Sequence, residues 1–133
     1  MNFRAASTFR AGSFANLEAR LVPKLQVGAQ NAANAVLAIS QGIVPVDTGA
    51  LKASGQTSVE WVGTKVTGYV VYARYYAAYV EFGTGRRGAE SPGAGPYEYK
   101  QSWPGMVAQP YLRPSLDQGR SQVLDAWNAA LGL

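Results

Sequence analysis

QTSVEWVGTKVTGYVVYA, residues 56–73, is rich in β-branched and aromatic side chains on both sides of a Gly63-Thr64 pair. Runs of that composition read as strands, and a two-residue break with glycine between them reads as a tight antiparallel hairpin. Val59 and Trp61, with Thr57, share one face of the first run. In the second, Val66, Gly68, Val70 and Tyr72 alternate with Thr67, Tyr69 and Val71, so both faces are fairly apolar. Such a strand is expected to be covered twice, by a helix on one face and by a neighbouring chain on the other.

The helix lies upstream. Phe14, Leu17, Leu21, Leu25, Ala29, Ala32, Val36, Ile39 and Ile43 recur at steps of three or four, which gives a long helix one apolar face. Ser13 is its expected N-cap, Pro23 predicts a kink or a fresh start, and Gly42 marks the end. Between helix and hairpin stands VPVDTGALKASG, residues 44–55. Pro45 pushes Val44 out of the helical region. Asp47 fits an N-cap accepting from Gly49 or Ala50, Val46 and Leu51 have the spacing of a hydrophobic staple, and Gly55 suits a left-handed helix stop. The chemistry of this corner, with Thr48 and Gly49 at its centre, is backbone capping.

Downstream, RYYAAYVEF (74–82) fits either a strand with Tyr76, Ala78, Val80 and Phe82 on one face or a short helix with Tyr75, Tyr79 and Phe82 at helical spacing; the helix is favoured, with Gly83 as its stop. It carries one carboxylate, Glu81, among aromatic neighbours. Residues 83–110 then hold six glycines and four prolines, a long loop whose Tyr97, Tyr99 and Trp103 gain by packing on something. Last comes QPYLRPSLDQGRSQVLDAWNAALGL (109–133), with Pro114 in a first helical turn and Leu112, Leu116, Val123, Trp127 and Leu131 on one apolar face. The fold class expected is α+β: a long N-terminal helix and a C-terminal helix packed on a small antiparallel sheet, with a long Gly/Pro-rich loop at 83–110.

A chain of 133 residues suits a single domain, 1–133. Its net charge of +4 is mild and dispersed, and residues 1–12 read as a flexible basic arm without the apolar middle of a secretory signal. No apolar run is long enough to span a membrane. The absence of cysteine and histidine excludes internal disulfides, thiol nucleophiles, histidine-based dyads and the usual zinc sites. Gly83, Gly85 and Gly88 spell G-x-G-x-x-G, but without a helix-forming apolar run after them the match does not predict a nucleotide site. Asp47 and Glu81 could in principle form a glycosidase-type acid pair. Capping accounts for Asp47 and no spacing gives Glu81 a partner, so no enzyme, cofactor or metal is expected. A basic stacking surface made of Arg86, Arg87, Lys100 and the loop aromatics is the alternative expectation, a stand-alone nucleic-acid-binding module.

Three stretches in fixed order, VPVDTGALKAS at 44–54, YAAYVEFGTG at 76–85 and QPYLRPSLD at 109–117, resemble the small tail-component proteins encoded in the head–tail joining module of long-tailed phages and prophages. The resemblance covers roughly residues 14–131 and departs from the family mainly in the long loop. It implies a structural virion protein of the neck. Such a protein completes the tail and joins it to the head as part of a ring, a hexamer in expectation, assembled in the host cytoplasm. Its partners would be copies of itself, tail terminator or tube proteins and head-closure or portal proteins, with DNA passing through the lumen unread. By resemblance the motif residues are Pro45, Asp47, Thr48, Gly49 and Leu51, then Tyr79, Glu81, Phe82, Gly83 and Thr84, then Pro110, Leu112, Arg113 and Pro114. None of these is catalytic. Arg86, Arg87, Lys100 and Trp103 stand as lumen or partner contacts. Arg113 is the first expected partner of Glu81, gripping it with two parallel bonds, while Arg74 and Arg86 remain open alternatives.

Overall fold

The computed structural model describes residues 5–6 and 15–133, with side chains from residue 19 onward. Helix α1 (Ala15–Ile43) runs beside a sheet of β1 (Ala5–Ala6), β2 (Gly55–Val62) and β3 (Lys65–Tyr72), with the short α2 (Ala50–Ala53) at the corner between helix and hairpin. After the sheet come α3 (Ala77–Phe82), α4 (Gly85–Ala89), α5 (Leu112–Gln118) and α6 (Arg120–Leu131). The architecture is α+β. Strand order is β1-β3-β2 and both pairings are antiparallel. The hairpin turn is Gly63-Thr64, with Gly63 at φ 58° and Val62 paired to Lys65.

The core lies where α1 crosses the hairpin. Leu25, Ala29, Ala32, Ala33 and Val36 are buried along α1 and meet Val66, Val70 and Tyr72 of β3. Gly68 lets the two elements touch: a Cβ there would stand 2.5 Å from the Ala29 carbonyl oxygen. Thr57, Val59 and Trp61 face the same side at partial burial, while Gln56, Ser58, Glu60 and Val62 are exposed, so β2 alternates as expected. On the other face of β3, Tyr69 and Val71 are half-buried. Helix α6 lies against α1, with Trp127 seated over Gly28, whose added Cβ would meet the indole at 2.6 Å.

Several local expectations are corrected. No fresh helix starts at Pro23: α1 continues through it as one element, because a proline forfeits one hydrogen bond while the packed apolar face keeps the rest in place. The final helix is divided at Gly119, which approaches α1 so closely that a Cβ would meet Ile39 Cδ1 at 3.0 Å. Gly55 is the first residue of β2 rather than a left-handed helix stop; α2 ends at Ser54 in right-handed geometry. The G-x-G-x-x-G stretch, expected to be loop, contains the single-turn helix α4. Ala5 and Ala6, placed in the flexible arm, pair with Gly68 and Thr67. The remainder of that arm, Ser13 as a cap and Phe14 lie outside the described residues, as does the Leu17 side chain.

Residues 83–110 are not an open connector. Thr84 and Met106 exchange backbone hydrogen bonds at 2.9 Å in both directions, Arg86 N–H donates to Trp103 O and Arg87 N–H to Pro104 O. Gln109 N–H donates to Val80 O at 2.8 Å. The segment therefore folds back on itself into a lobe closed at its base by hydrogen bonds within its own chain.

Candidate functional site

Glu81 sits at the C-terminal end of α3 and is fully buried, at 0% exposure. An uncompensated carboxylate in that position would be costly. Oε2 accepts from Tyr111 N–H at 2.7 Å and Leu112 N–H at 3.0 Å; Oε1 accepts from Arg113 N–H and from Arg113 Nε, both at 3.0 Å. Tyr111 is the N-cap of α5 and has no side-chain cap of its own. The N–H groups of Tyr111, Leu112 and Arg113 are those that a helix start leaves without partners, and Pro114, next in line, has none to satisfy. Glu81 therefore caps α5 from another element, with its charge at the positive end of the helix. Neighbouring Pro110 likewise brings no N–H.

Arg113 completes the anchor, but not by the two-bond fork expected of it. Only Nε meets the carboxylate; Nη2 turns to the Glu81 carbonyl at 3.0 Å and to the Gly93 carbonyl at 2.6 Å. Its guanidinium carbon lies 4.4 Å from the centre of the Phe82 ring. The fork fails because backbone N–H groups already fill the carboxylate's remaining acceptor positions. Arg74 and Arg86 play no part. One arginine thus ties together α3, the lobe and α5.

The surrounding side chains extend the tie. Tyr111 OH donates to the Ala77 carbonyl at 3.1 Å, and its ring meets Tyr72 edge-on with centroids 4.9 Å apart. Burial, reinforced by the Glu81 carboxylate, pushes the Tyr111 phenol well above its ordinary value. Tyr72 is also raised by burial, an effect opposed by its hydrogen bonds with Ser40 and Gln41. Ser115 Oγ donates to the Tyr111 carbonyl. Tyr99 OH accepts from Gly95 N–H at 2.7 Å and donates to the Phe82 carbonyl at 2.8 Å, while Tyr97 packs edge-on to Phe82. Gly83 ends α3 at φ 76°, and Thr84 turns the chain into the lobe. Sequence reasoning missed Gly93 as a member of this network and, while expecting Tyr99 to pack on something, missed its hydrogen bonds. The only signal for Tyr99 was an aromatic residue inside a glycine-rich run.

The corner at 44–54 is built differently from expectation. Asp47 is exposed and, among the described residues, makes no hydrogen bond or ion pair. The N-cap of α2 is Gly49 at φ 82°, and Ala50 N–H donates to Thr48 Oγ1 at 3.3 Å. With the cap two residues later, the staple is lost as well: Val46 is 63% exposed, whereas Leu51 is buried in the core.

Two clefts flank α3. One, of about 520 Å³, lies between the corner and α3; Val46, Asp47 and Thr48 form one wall and Tyr76, Val80 and Gln109 the other. It gathers residues from all three motif stretches. The other, of about 500 Å³, lies between α3 and the lobe and is lined by Tyr79, Phe82, Tyr97, Tyr99, Lys100 and Trp103. Tyr79 and Trp103 are 54% and 51% exposed. Arg86, Arg87 and Lys100 are exposed too, and none forms an ion pair among the described residues. Asp47 and Glu81 occupy different environments, one open and one sealed, so they are not a working acid pair. Among the described residues no cluster of three or more acidic side chains could hold a metal ion, and no helix is long and apolar enough to cross a membrane. No protein-family model, curated protein or solved structure matches the chain.

Proposed function

We propose that this chain is a structural, non-enzymatic subunit of a ring in the neck of a phage or phage-like particle, where it completes the tail and joins it to the head. The observation that carries the reading is the convergence of the three motif stretches. The corner at 44–54, the segment 76–85 and the turn at 109–117 are far apart in sequence, yet they meet around α3. Glu81 of the second stretch caps the helix begun by the third. The polar groups that the resemblance singles out serve to hold elements together, and the Glu81 oxygens are both engaged and sealed from solvent. That is the chemistry of a rigid building block. Copies of the chain form the ring, its faces meet tail terminator or tube proteins and head-closure or portal proteins, and DNA passes through the lumen without being read.

The test is genetic and visual. A particle assembled without this chain yields DNA-filled heads and separate tails in electron micrographs, and supplying the chain restores joined particles. Normal joined particles without it overturn the reading.

A further inference from the structure

We infer that neighbouring subunits meet head to tail, with the Arg86–Arg87 and Trp103 end of the lobe of one copy seated in the Asp47 cleft of the next. This assignment rests on the ring reading. It starts from a residue that the fold leaves unused. Asp47 has the sequence position of a helix cap, yet Gly49 takes the cap and Asp47 is left exposed. Beside it Val46 exposes an apolar side chain at the mouth of a cleft of about 520 Å³. Together they set a carboxylate beside an apolar side chain at one cleft, which a cationic segment carrying an aromatic side chain complements.

The complementary set lies on the other flank of α3. Arg86 and Arg87 stand side by side on α4, and their backbone N–H groups hold the Trp103–Pro104 segment. Arg86, Arg87 and Trp103, all exposed, therefore belong to one region of the lobe. Glu90, one turn after Arg86, makes no ion pair with it. Arginine and tryptophan are the side chains that most often dominate a contact energetically, and the cleft that receives them sets one carboxylate, Asp47, beside Val46, Val80 and Met106. In a head-to-tail contact each subunit uses one of these surfaces and offers the other to the next copy. Repeating one such contact around an axis gives a ring where the rotation closes.

The sequence lacks cysteine, which makes the contact directly testable. In the intact chain carrying both Asp47→Cys and Arg87→Cys, oxidation at high protein concentration is expected to give a disulfide-linked ladder of multimers. Each single variant alone gives none, and a mixture of the two singles stops at dimers. In parallel, Asp47→Lys and the Arg86→Glu/Arg87→Glu pair are each expected to weaken self-association in sedimentation by on the order of a hundredfold, because like charges then oppose. Mixing these two charge variants in equal amounts restores association, since every contact in an alternating ring regains opposite charges. All substituted positions are exposed, and unfolding curves verify that the variants fold. If the parent chain self-associates while the double-cysteine chain gives no ladder and charge reversal changes nothing, the contact lies elsewhere and the ring reading survives. Disulfide dimers formed efficiently by a single-cysteine variant overturn the head-to-tail geometry. A parent chain that stays monomeric with no cross-link under any condition overturns the contact and the ring together.

Discussion

Arg113 donates three hydrogen bonds to Glu81, two to one carboxylate oxygen and one to the backbone carbonyl, each at 3.0 Å. Yet two of the four bonds that the carboxylate accepts come from the neighbouring N–H groups of Tyr111 and Leu112. Glu81→Gln is therefore expected to cost about 3–5 kcal/mol, because an amide cannot accept from every one of these donors and leaves some buried without a partner. Arg113→Ala should cost less, since its side chain is 39% exposed and the three backbone bonds remain. The double variant should cost less than the sum. Urea unfolding of the four proteins measures the cycle; equal, additive losses under about 1 kcal/mol would mean that the carboxylate is not an anchor.

Alkaline pH should unfold the protein earlier than its charge alone suggests. The phenols of Tyr111 and Tyr72 are raised in the folded state. The unfolded chain loses these protons near pH 10, and the folded chain holds them to higher pH. Above about pH 10 the folded state thus binds more protons, and stability falls as pH rises; below it the contribution is fully present. Tyr111→Phe should flatten that alkaline slope. At neutral pH it should cost about 0.5–1.5 kcal/mol for the lost bond to Ala77 O. Stability measured from pH 8 to 11 distinguishes the two effects, and an unchanged slope in the variant refutes the assignment.

Two glycines should respond oppositely to alanine. At Gly68 a methyl group would press on the Ala29 backbone, which cannot move without lifting α1 off the sheet, so Gly68→Ala should cost roughly 1–3 kcal/mol. At Gly42, near the end of α1, an added Cβ meets nothing within 4 Å and φ is not positive. Gly42→Ala should therefore stabilise by roughly 0.4–1 kcal/mol through the unfolded chain. Thermal melts of both variants read the sign directly.

The lobe should hold its shape in the isolated subunit. Thr84, Arg86, Met106 and Gln109 donate backbone hydrogen bonds within the chain. Their amides are expected to exchange more slowly than those of exposed residues such as Gln101 and Ser102. Uniformly fast exchange from 83 to 110, slowed only on assembly, would mean that partners rather than the subunit itself hold the segment.

How much of this was legible follows from the range of the interactions. Spacing along the chain gave the apolar face of α1, the alternation of β2 and the turn at Gly63, because these patterns repeat within a few residues. The pairing of Glu81 with Arg113 was expected from resemblance and is met in the structure, but its form was not. Sequence offers no mark for backbone N–H groups converging on a carboxylate thirty positions earlier. The break at Gly119 depends on Ile39 approaching from another helix, and the vacancy at Asp47 depends on Gly49 adopting positive φ. In each case local chemistry allowed several outcomes and tertiary contact chose among them.

The closed base of the lobe has a consequence for what the chain can carry. Thr84–Met106 pins its ends and Arg113–Gly93 ties its middle to α5, so the frame of α1, the sheet and α6 does not depend on the length of its exposed turn at 101–102. Loop-closure entropy grows only slowly, by about 0.6 kcal/mol for each doubling of a flexible segment. The exposed Gln101–Ser102 tip is thus a socket in which residues can be added or exchanged at little cost to the fold, and one scaffold can be fitted to differently shaped neighbours by changing the tip alone.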